Sequence, residues 1–352
     1  MTSKKGLSVF AVAFMTVSTI MGAGFASGRE IWQFFGVFGS DGYKGAILSG
    51  SIFIFVTYMT VTITKYINTN DIGMVVMPGN NKVLKKLTGH FMALILYTVL
   101  VMMSAACGAF FYQQYGLPRF VGGLILVILV IITVTGGFQR ISGILKYIVP
   151  LLIITVVAVS CYILITPLKE TSFKMTVVPS PLAPNYYIAA VLYVCLVILA
   201  AIPIMATATL YAKNHKTALR GTTLGAVIFT LLILLMIYII QMDPEFSQAM
   251  DMPMLGYAKR TSNLANTLYG LPLLLAIYGS ATTNYYAVTT RFKEGPYKKL
   301  VTVLVALSAF GAGLFGFTNV VKYMLPVEGA LGVIIFIMLL IHFIGIKGER
   351  AS

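Results

Sequence analysis

Long apolar runs separated by short polar segments dominate the chain. A bilayer core about 30 Å thick is crossed by about 20 apolar residues of helix, and ten runs approach or exceed that length. The pattern therefore predicts an all-α membrane protein with ten transmembrane helices. The predicted spans are residues 7–38, 45–67, 91–112, 121–135, 141–165, 186–212, 219–241, 264–290, 300–316 and 320–346.

Composition agrees with this class. Hydrophobic residues make up 59% of the 352 residues and charged residues only 10%, whereas charged residues alone are about a quarter of a soluble domain. The formal net charge of +15 does not indicate nucleic acid, because the lysines and arginines lie singly between apolar runs rather than in a basic stripe. The cysteines Cys107, Cys161 and Cys195 have no metal-binding spacing. We expect no cofactor beyond a coupling ion.

The basic residues also predict the orientation of the chain. With both termini on one side, the segments on that side carry sixteen lysines and arginines, and the segments on the other side carry seven. Basic residues are enriched in cytoplasmic segments of membrane proteins. We therefore expect a multi-pass protein of the cell membrane with both termini in the cytoplasm.

The longest proline-rich polar segment divides the spans into two sets of five. We predict a first five-helix repeat over residues 1–166, an extracellular connection over 167–185, and a second repeat with a short tail over 186–352. Because each half has an odd number of spans, two structural repeats would have opposite orientations in the membrane. This 5+5 inverted arrangement is typical of secondary transporters.

The first span contains the sequence IMGAGFASGRE, which predicts a broken helix. Gly22, Gly24 and Gly28 lie within seven residues, and Arg29 follows directly. Broken backbone at membrane depth is tolerated only where it is buried in protein or lines a cavity. The alternative is a helix-packing face, since Gly24 and Gly28 are four residues apart.

The sixth span contains LAAIPIM, and we expect a second discontinuity there. Pro203 removes one helical N–H group, and its ring crowds the preceding turn. Proline kinks without a function also occur in transmembrane helices. The first spans of both halves would then be interrupted, which favours a binding site between them.

The breaks predict the chemistry of that site. A helix that restarts after Gly22 presents unpaired N–H groups and a positive dipole end, which suit a carboxylate. The upstream half ends in free carbonyl groups that suit an ammonium group or a cation. No acid or base marks the pocket in the sequence, so we expect a neutral substrate with carboxylate and amine ends. The predicted substrate-binding residues are Ile20, Gly22, Ala23, Gly24, Phe25, Leu196, Val197, Leu199 and Ala200.

The string GAGFASGREIWQFFGVFG resembles the first span of the YkvI-type amino acid permease family within the amino acid-polyamine-organocation superfamily. Two further strings resemble the wider superfamily, namely GGFQRISGILKYIVPLL in the fifth span and GSATTNYYAVTTR in the eighth. The resemblance implies the fold shared with sodium-coupled LeuT-like symporters. It also implies secondary transport of amino acids or related small amines.

The eighth span indicates a cation site. Gly279, Thr282 and Thr283 follow i, i+3, i+4 spacing, like the carbonyl and two hydroxyls that hold sodium in sodium-coupled relatives. The carbonyl groups of Ser18 and Met21 would complete the site. The alternative is that each threonine hydroxyl simply bonds to the carbonyl four residues earlier.

Two other features of the resemblance concern charged residues. Lys146 in the fifth span is a rival to sodium, because in some permeases an amine at this helix replaces the ion; it could instead extend to the cytoplasmic surface. Arg29 and Glu328 lie in the outer halves of the first and tenth spans. In some relatives, an arginine–acid pair there forms a gate.

The sequence therefore predicts a secondary transporter whose partners are a small-molecule substrate and the lipid bilayer. No obligatory protein partner of the transporter is evident from the sequence. Two alternatives remain: a polytopic membrane enzyme or lipid-handling protein, and a channel subunit. An enzyme is not expected, because the sequence has no P-loop, HExxH motif, nucleophile elbow or paired-carboxylate motif.

Overall fold

The computed structural model describes residues 6–77, 82–136, 139–166, 178–290, 292 and 295–351; at 82–92, 139–149 and 349–351 it describes the backbone only. The regular secondary structure in these ranges is helical. A 3₁₀ turn covers Gly36–Phe38. The α-helices are α1 (Val9–Ile20), α2 (Ala23–Ala26), α3 (Arg29–Phe34), α4 (Asp41–Ile67), α5 (Ile72–Val76), α6 (Lys82–Tyr115), α7 (Arg119–Thr135), α8 (Gln139–Ile165), α9 (Tyr186–Tyr211), α10 (His215–Ile240), α11 (Pro244–Ala249), α12 (Pro253–Thr261), α13 (Asn263–Thr289), α14 (Lys298–Gly313) and α15 (Phe317–Ala351).

Polar capping residues set where several apolar helices begin. Asn185 accepts a hydrogen bond from the N–H of Ile188 at 3.0 Å, and Asn214 accepts one from Thr217 at 2.8 Å. Ser262 caps α13 in the same way. Each side chain satisfies one of the N–H groups that a helix leaves unpaired at its first turn. The starts of α9, α10 and α13 therefore follow from the local sequence.

Six of the described helices are long and apolar enough to cross a membrane. They are Asp41–Ile67, Ala93–Tyr115, Tyr186–Tyr211, His215–Ile240, Asn263–Thr289 and Phe317–Gly348. Three shorter apolar helices cover Val9–Ile20, Arg119–Thr135 and Pro150–Ile165. An all-helical fold with six candidate spans is thus established. Of the other four predicted spans, the first is interrupted, two correspond to the shorter helices α7 and α14, and one corresponds to α8, whose side chains are described only from Pro150 onward.

Most of the long helices pack into two groups. The first group consists of α1, α4, α9 and α10, and the second consists of α6, α7, α13 and α14. Helix α15 packs on α9 of the first group and also contacts α6 of the second, whereas α8 packs on α13. An aromatic cluster supports the first group, in which Phe25 lies 5.3 Å from Phe229 between ring centroids. The boundary between the groups contains the main cavity described below.

The expected discontinuity of the sixth span is wrong. Helix α9 runs without a break from Tyr186 to Tyr211, with Pro203 inside it. Proline removes one N–H group and crowds the carbonyl four residues earlier, but the flanking turns keep their own hydrogen bonds. The Leu199 carbonyl therefore loses its usual donor although the helix continues. Residues 167–177 of the predicted connection between the halves lie outside the described residues.

Candidate functional site

The first span is broken directly after α1. The N–H of Gly22 donates to the carbonyl of Ile20 at 2.9 Å, and Met21 has φ −75° and ψ 78°, which is the geometry of an inverse γ-turn. Within the described part of the chain, the N–H groups of Ala23, Gly24 and Phe25 have no hydrogen-bond acceptor. The predicted break of the first span is therefore present.

A second turn separates α2 from α3, so the restarted helix has only four residues. Gly28 has φ 79°, a left-handed conformation that glycine adopts without strain. The Ser27 hydroxyl supports the turn, because it donates to the Gly24 carbonyl at 2.7 Å and accepts from the Arg29 N–H at 3.2 Å. A side chain at position 28 would also collide with Met254.

This second turn directs Glu30 back toward the first break. A Cβ atom added to Gly24 would lie 2.7 Å from Glu30 Oε2. The carboxyl group of Glu30 therefore occupies the space beside Gly24, where the sequence predicted the carboxylate of a substrate. The hydroxyl of Tyr193 lies near this carboxyl group. It is fully buried and has no hydrogen-bond partner among the described residues.

A cavity of about 160 Å³ lies next to this break. Helices α1 and α9 form one wall, α6 and α13 form the opposite wall, and Glu30 of α3 and two residues of α15 complete it. Five of the predicted substrate-binding residues line it, namely Ile20, Leu196, Val197, Leu199 and Ala200. Gly22, Ala23, Gly24 and Phe25 lie at the break but do not line the cavity.

The sequence did not identify the other side of the cavity. Ile95, Leu96, Val99 and Met102 of α6 face it. They form an apolar wall from the third predicted span, but their sequence does not differ from that of a lipid-facing helix. Asn284 of α13 also lines the cavity. Its amide nitrogen donates to the Ser280 carbonyl at 2.8 Å, which leaves its amide oxygen as an acceptor.

Two carboxyl groups line the same cavity. Glu328 is 7% exposed and accepts a hydrogen bond from the Thr98 hydroxyl at 2.5 Å. Glu30 is half-buried, because part of its surface faces the cavity. Both side chains therefore contact the same enclosed space. In the described ranges neither forms an ion pair. The expectation that no acid marks the pocket is therefore wrong.

Arg29 points away from this cavity. Its Nη1 atom donates to the carbonyl groups of Ser247, Gln248 and Met250 at 3.3, 3.1 and 3.1 Å. The side chain is 1% exposed, and its partners belong to the segment around α11. The predicted gate pair between Arg29 and Glu328 is not formed in this structure, because Arg29 binds that segment whereas Glu328 binds α6.

The predicted sodium ligands lie on helices from both groups. The hydroxyls of Thr282 and Thr283 donate to the carbonyl groups of Tyr278 and Gly279, each at 2.8 Å. Thr282 is buried, whereas Thr283 is exposed. Both threonines thus make the ordinary bond to their own helix, and their different exposure does not favour a shared buried site.

The structure gives no direct test of the remaining predicted sodium ligands or of Lys146. The Ser18 hydroxyl donates to the Met15 carbonyl at 3.0 Å, and Met21 is buried at the break. Gly279 is buried and its carbonyl accepts the Thr283 hydroxyl. The side chain of Lys146 lies outside the described residues. Sodium and Lys146 therefore remain competing predictions.

The comparison of sequences finds two relatives of almost the same length. The chain is 25% identical over 332 residues to "Uncharacterized membrane protein YkvI" of Bacillus subtilis, with 94% of each chain covered. It is 25% identical over 343 residues to "Uncharacterized protein YyaD" of the same organism, with 93% of this chain and 95% of that one covered. No family model matches the chain.

The comparison of structures finds a similar fold in a solved transporter. A solved structure of the manganese transporter of Eremococcus coleocola aligns with a TM-score of 0.56 and 14% identity, covering 95% of this chain and 78% of that chain. A complex of that transporter with an aromatic bis-isothiourea compound aligns with a TM-score of 0.53. At this identity the likeness establishes the fold alone. With its six apolar helices, the chain is a multi-pass membrane protein.

Proposed function

We propose that the chain is a secondary transporter that works by alternating access around the cavity beside the first-span break. The observation that carries this proposal is the position of that cavity. It lies between the two helix groups, next to unpaired backbone groups of a broken helix. Broken helices at such interfaces form the substrate sites of secondary transporters.

We further propose ten transmembrane helices in a 5+5 inverted repeat of the LeuT-like kind. The order of the long elements supports it: α1 to α3 form one interrupted span, followed by α4, α6, α7 and α8, and the second half contains the five long helices α9, α10, α13, α14 and α15. The two groups draw helices from both halves, as expected if two repeats interlock. The distribution of basic residues supports a cell-membrane protein with both termini in the cytoplasm.

The proposed substrate is an amino acid or a related small amine, coupled to sodium or to protons. The likeness of the first span to amino acid permeases supports this class. Five of the predicted residues also line a cavity of small-molecule size. Purified protein in vesicles should exchange an external labelled amino acid or amine for the same compound inside the vesicles. Such exchange is typical of a carrier, whereas a channel lets an imposed solute gradient dissipate.

A matched pair of variants tests the site itself. Leu196→Phe adds bulk to the cavity wall, whereas Leu231→Phe adds the same bulk to α10 at a position that is 58% exposed. We expect exchange to be lost in the first variant and retained in the second. Normal exchange by both variants would mean that the cavity is not the transport site.

A second candidate is transport of a divalent cation. Glu30 and Glu328 supply oxygen ligands of the kind that Mn²⁺ prefers, and the structural relative is a manganese transporter. Uptake of Mn²⁺ into vesicles, measured with an internal metal-sensitive dye, distinguishes this candidate from the first.

A further inference from the structure

We propose that the cavity beside the first-span break binds a small organic cation, namely a primary amine with an apolar carbon chain and no carboxylate. Its ammonium group is held between Glu30 and Glu328, and its carbon chain lies against the aliphatic wall. This inference rests on the proposed transport function and narrows its substrate class. It also assigns Glu30 and Glu328 as cation-binding residues.

The two acids of the cavity favour a bound cation. A buried carboxylate is expensive unless a cation or hydrogen bonds compensate it. Among the described residues, Glu328 receives one hydrogen bond, from Thr98, and the Tyr193 hydroxyl lies near Glu30. Two acids that line one cavity without an ion pair among the described residues are stabilised when a cation enters between them. A bound cation completes this site.

The hydrogen-bond acceptors around the cavity suit an ammonium group. An ammonium group has three N–H donors. Glu30, Glu328 and the Asn284 amide oxygen are three acceptors on the cavity wall. The Leu199 carbonyl is a fourth candidate, because Pro203 cannot donate to it. The Tyr193 hydroxyl can hydrogen-bond to Glu30 and hold its orientation. The polar lining therefore consists mainly of acceptors.

The position of Glu30 excludes a substrate carboxylate. The predicted carboxylate position beside Gly24 is occupied by the Glu30 side chain. The helix that was expected to hold the carboxylate, α2, has only four residues, so its dipole contributes little. A zwitterionic amino acid would place its carboxylate against Glu30. The amine that results from removing that carboxylate avoids the repulsion.

The mostly apolar lining of the cavity fits an amine better than a bare metal ion. Ten of the fourteen lining residues are aliphatic or methionine. Hard divalent cations need about six oxygen ligands, and the described residues contain no cluster of three or more potential metal-ligating acids, histidines and cysteines. An amine uses both parts of the cavity, because its charged end needs acceptors and its carbon chain needs apolar contacts.

Cavity size limits the length of the amine. At about 30 Å³ per water molecule, 160 Å³ corresponds to roughly five water molecules. A suitable probe is therefore 3-methylbutylamine, which has about that number of heavy atoms. Two matched compounds share its skeleton: leucine adds a carboxylate, and 3-methylbutanol replaces the ammonium group with a neutral hydroxyl.

The experiment measures binding and transport separately. Thermal stabilisation of the purified protein is recorded with the three compounds and with Mn²⁺, and uptake into vesicles is recorded for the amine, leucine and Mn²⁺. The variants are Glu30→Gln and Glu328→Gln, which keep the shape of the side chain. The control is Glu245→Gln, which removes an exposed acid of α11 outside the cavity. Monodispersity on gel filtration verifies the fold of each variant.

We expect the amine to stabilise the protein while leucine and the alcohol do not. Each cavity variant should weaken amine binding about tenfold or more, because the glutamine oxygen accepts a hydrogen bond without the negative charge that balances the ammonium group. The control variant should bind normally. Leucine uptake that is unaffected by the glutamate variants would overturn the amine site but leave the transporter proposal intact. Glutamate-dependent binding of Mn²⁺ without amine binding would also overturn it. Amine binding without uptake would contradict the transporter proposal alone.

Discussion

At the scale of single residues, the glycines of the first span have different roles. A Cβ at Gly22 would meet nothing within 4 Å, whereas one at Gly24 would contact Glu30 and one at Gly28 would collide with Met254. Only Gly28 also has a positive φ. Gly24 therefore provides space for a carboxyl group, and Gly28 provides the turn that brings this group there.

The role of Gly24 leads to a prediction about ligand binding. Gly24→Ala should displace the Glu30 carboxyl, because its Cβ would lie 2.7 Å from Oε2. We expect it to weaken binding of 3-methylbutylamine about tenfold, the effect of losing one charged hydrogen bond. Thermal stability should change little, since the displaced atom is the end of a flexible side chain. The control is Gly22→Ala. Equal binding by the two variants would contradict the assigned position of Glu30.

The role of Gly28 leads to a prediction about stability. Gly28→Ala should lower stability by about 1–3 kcal/mol, because backbone strain is added to a collision with Met254. Gly116→Ala serves as the control, because Gly116 has φ 70° and open space around its Cβ position. Unfolding of both variants can be measured in mixed detergent. A smaller loss for Gly28→Ala than for Gly116→Ala would argue against tight packing at this turn.

At the scale of helices, the sequence predicted some features well and missed others for physical reasons. Hydrophobic runs and closely spaced glycines are local signals, and they indicated the long apolar helices and the first break. The sixth span was misread because one proline removes one hydrogen bond without ending a membrane helix. Glu30 was missed because its position depends on the turn at Gly28. The partners of Arg29 are more than 200 residues away in the chain.

The segment containing α11 and α12 is held against α3, α6, α7 and α15 by a few polar contacts. Arg29 binds three of its carbonyl groups, and Gln113 of α6 exchanges two hydrogen bonds with the backbone of Met252. Asp251 joins Arg119 of α7 to Thr318 of α15. These contacts connect several helices on the side predicted to be extracellular, and they offer a means of closing it that does not require an Arg29–Glu328 pair.

Arg29 should therefore hold the α11 segment in place. We expect Arg29→Gln to increase hydrogen exchange of the backbone amides of residues 244–250, because three carbonyl groups lose a charged donor. Lys44→Gln is the control, since Lys44 pairs only with Asp41 on an exposed surface, and such pairs contribute about 0–1 kcal/mol. Unchanged exchange in Arg29→Gln would show that other contacts suffice.

At the scale of the whole molecule, the cavity and the predicted ion site both connect the two helix groups. Ile20 and Leu199 of the first group face Leu96 and Asn284 of the second across the cavity. A ligand that contacts both groups favours whichever arrangement brings its contacts together. If a substrate and an ion both bridge the groups, relative movement of the groups would couple their binding.

The identity of the coupling ion can be tested on this basis. If sodium bridges α1 and α13, the buried Thr282 is the hydroxyl that remains shielded from bulk water, whereas Thr283 is exposed. We expect Thr282→Val to abolish stimulation of 3-methylbutylamine uptake by a sodium gradient and Thr283→Val to preserve most of it. Lys146→Met should then leave the sodium effect unchanged. Uptake that ignores sodium, follows an imposed proton gradient and is lost in Lys146→Met would instead assign the coupling to that amine, because an ammonium group at the ion position would repel a sodium ion.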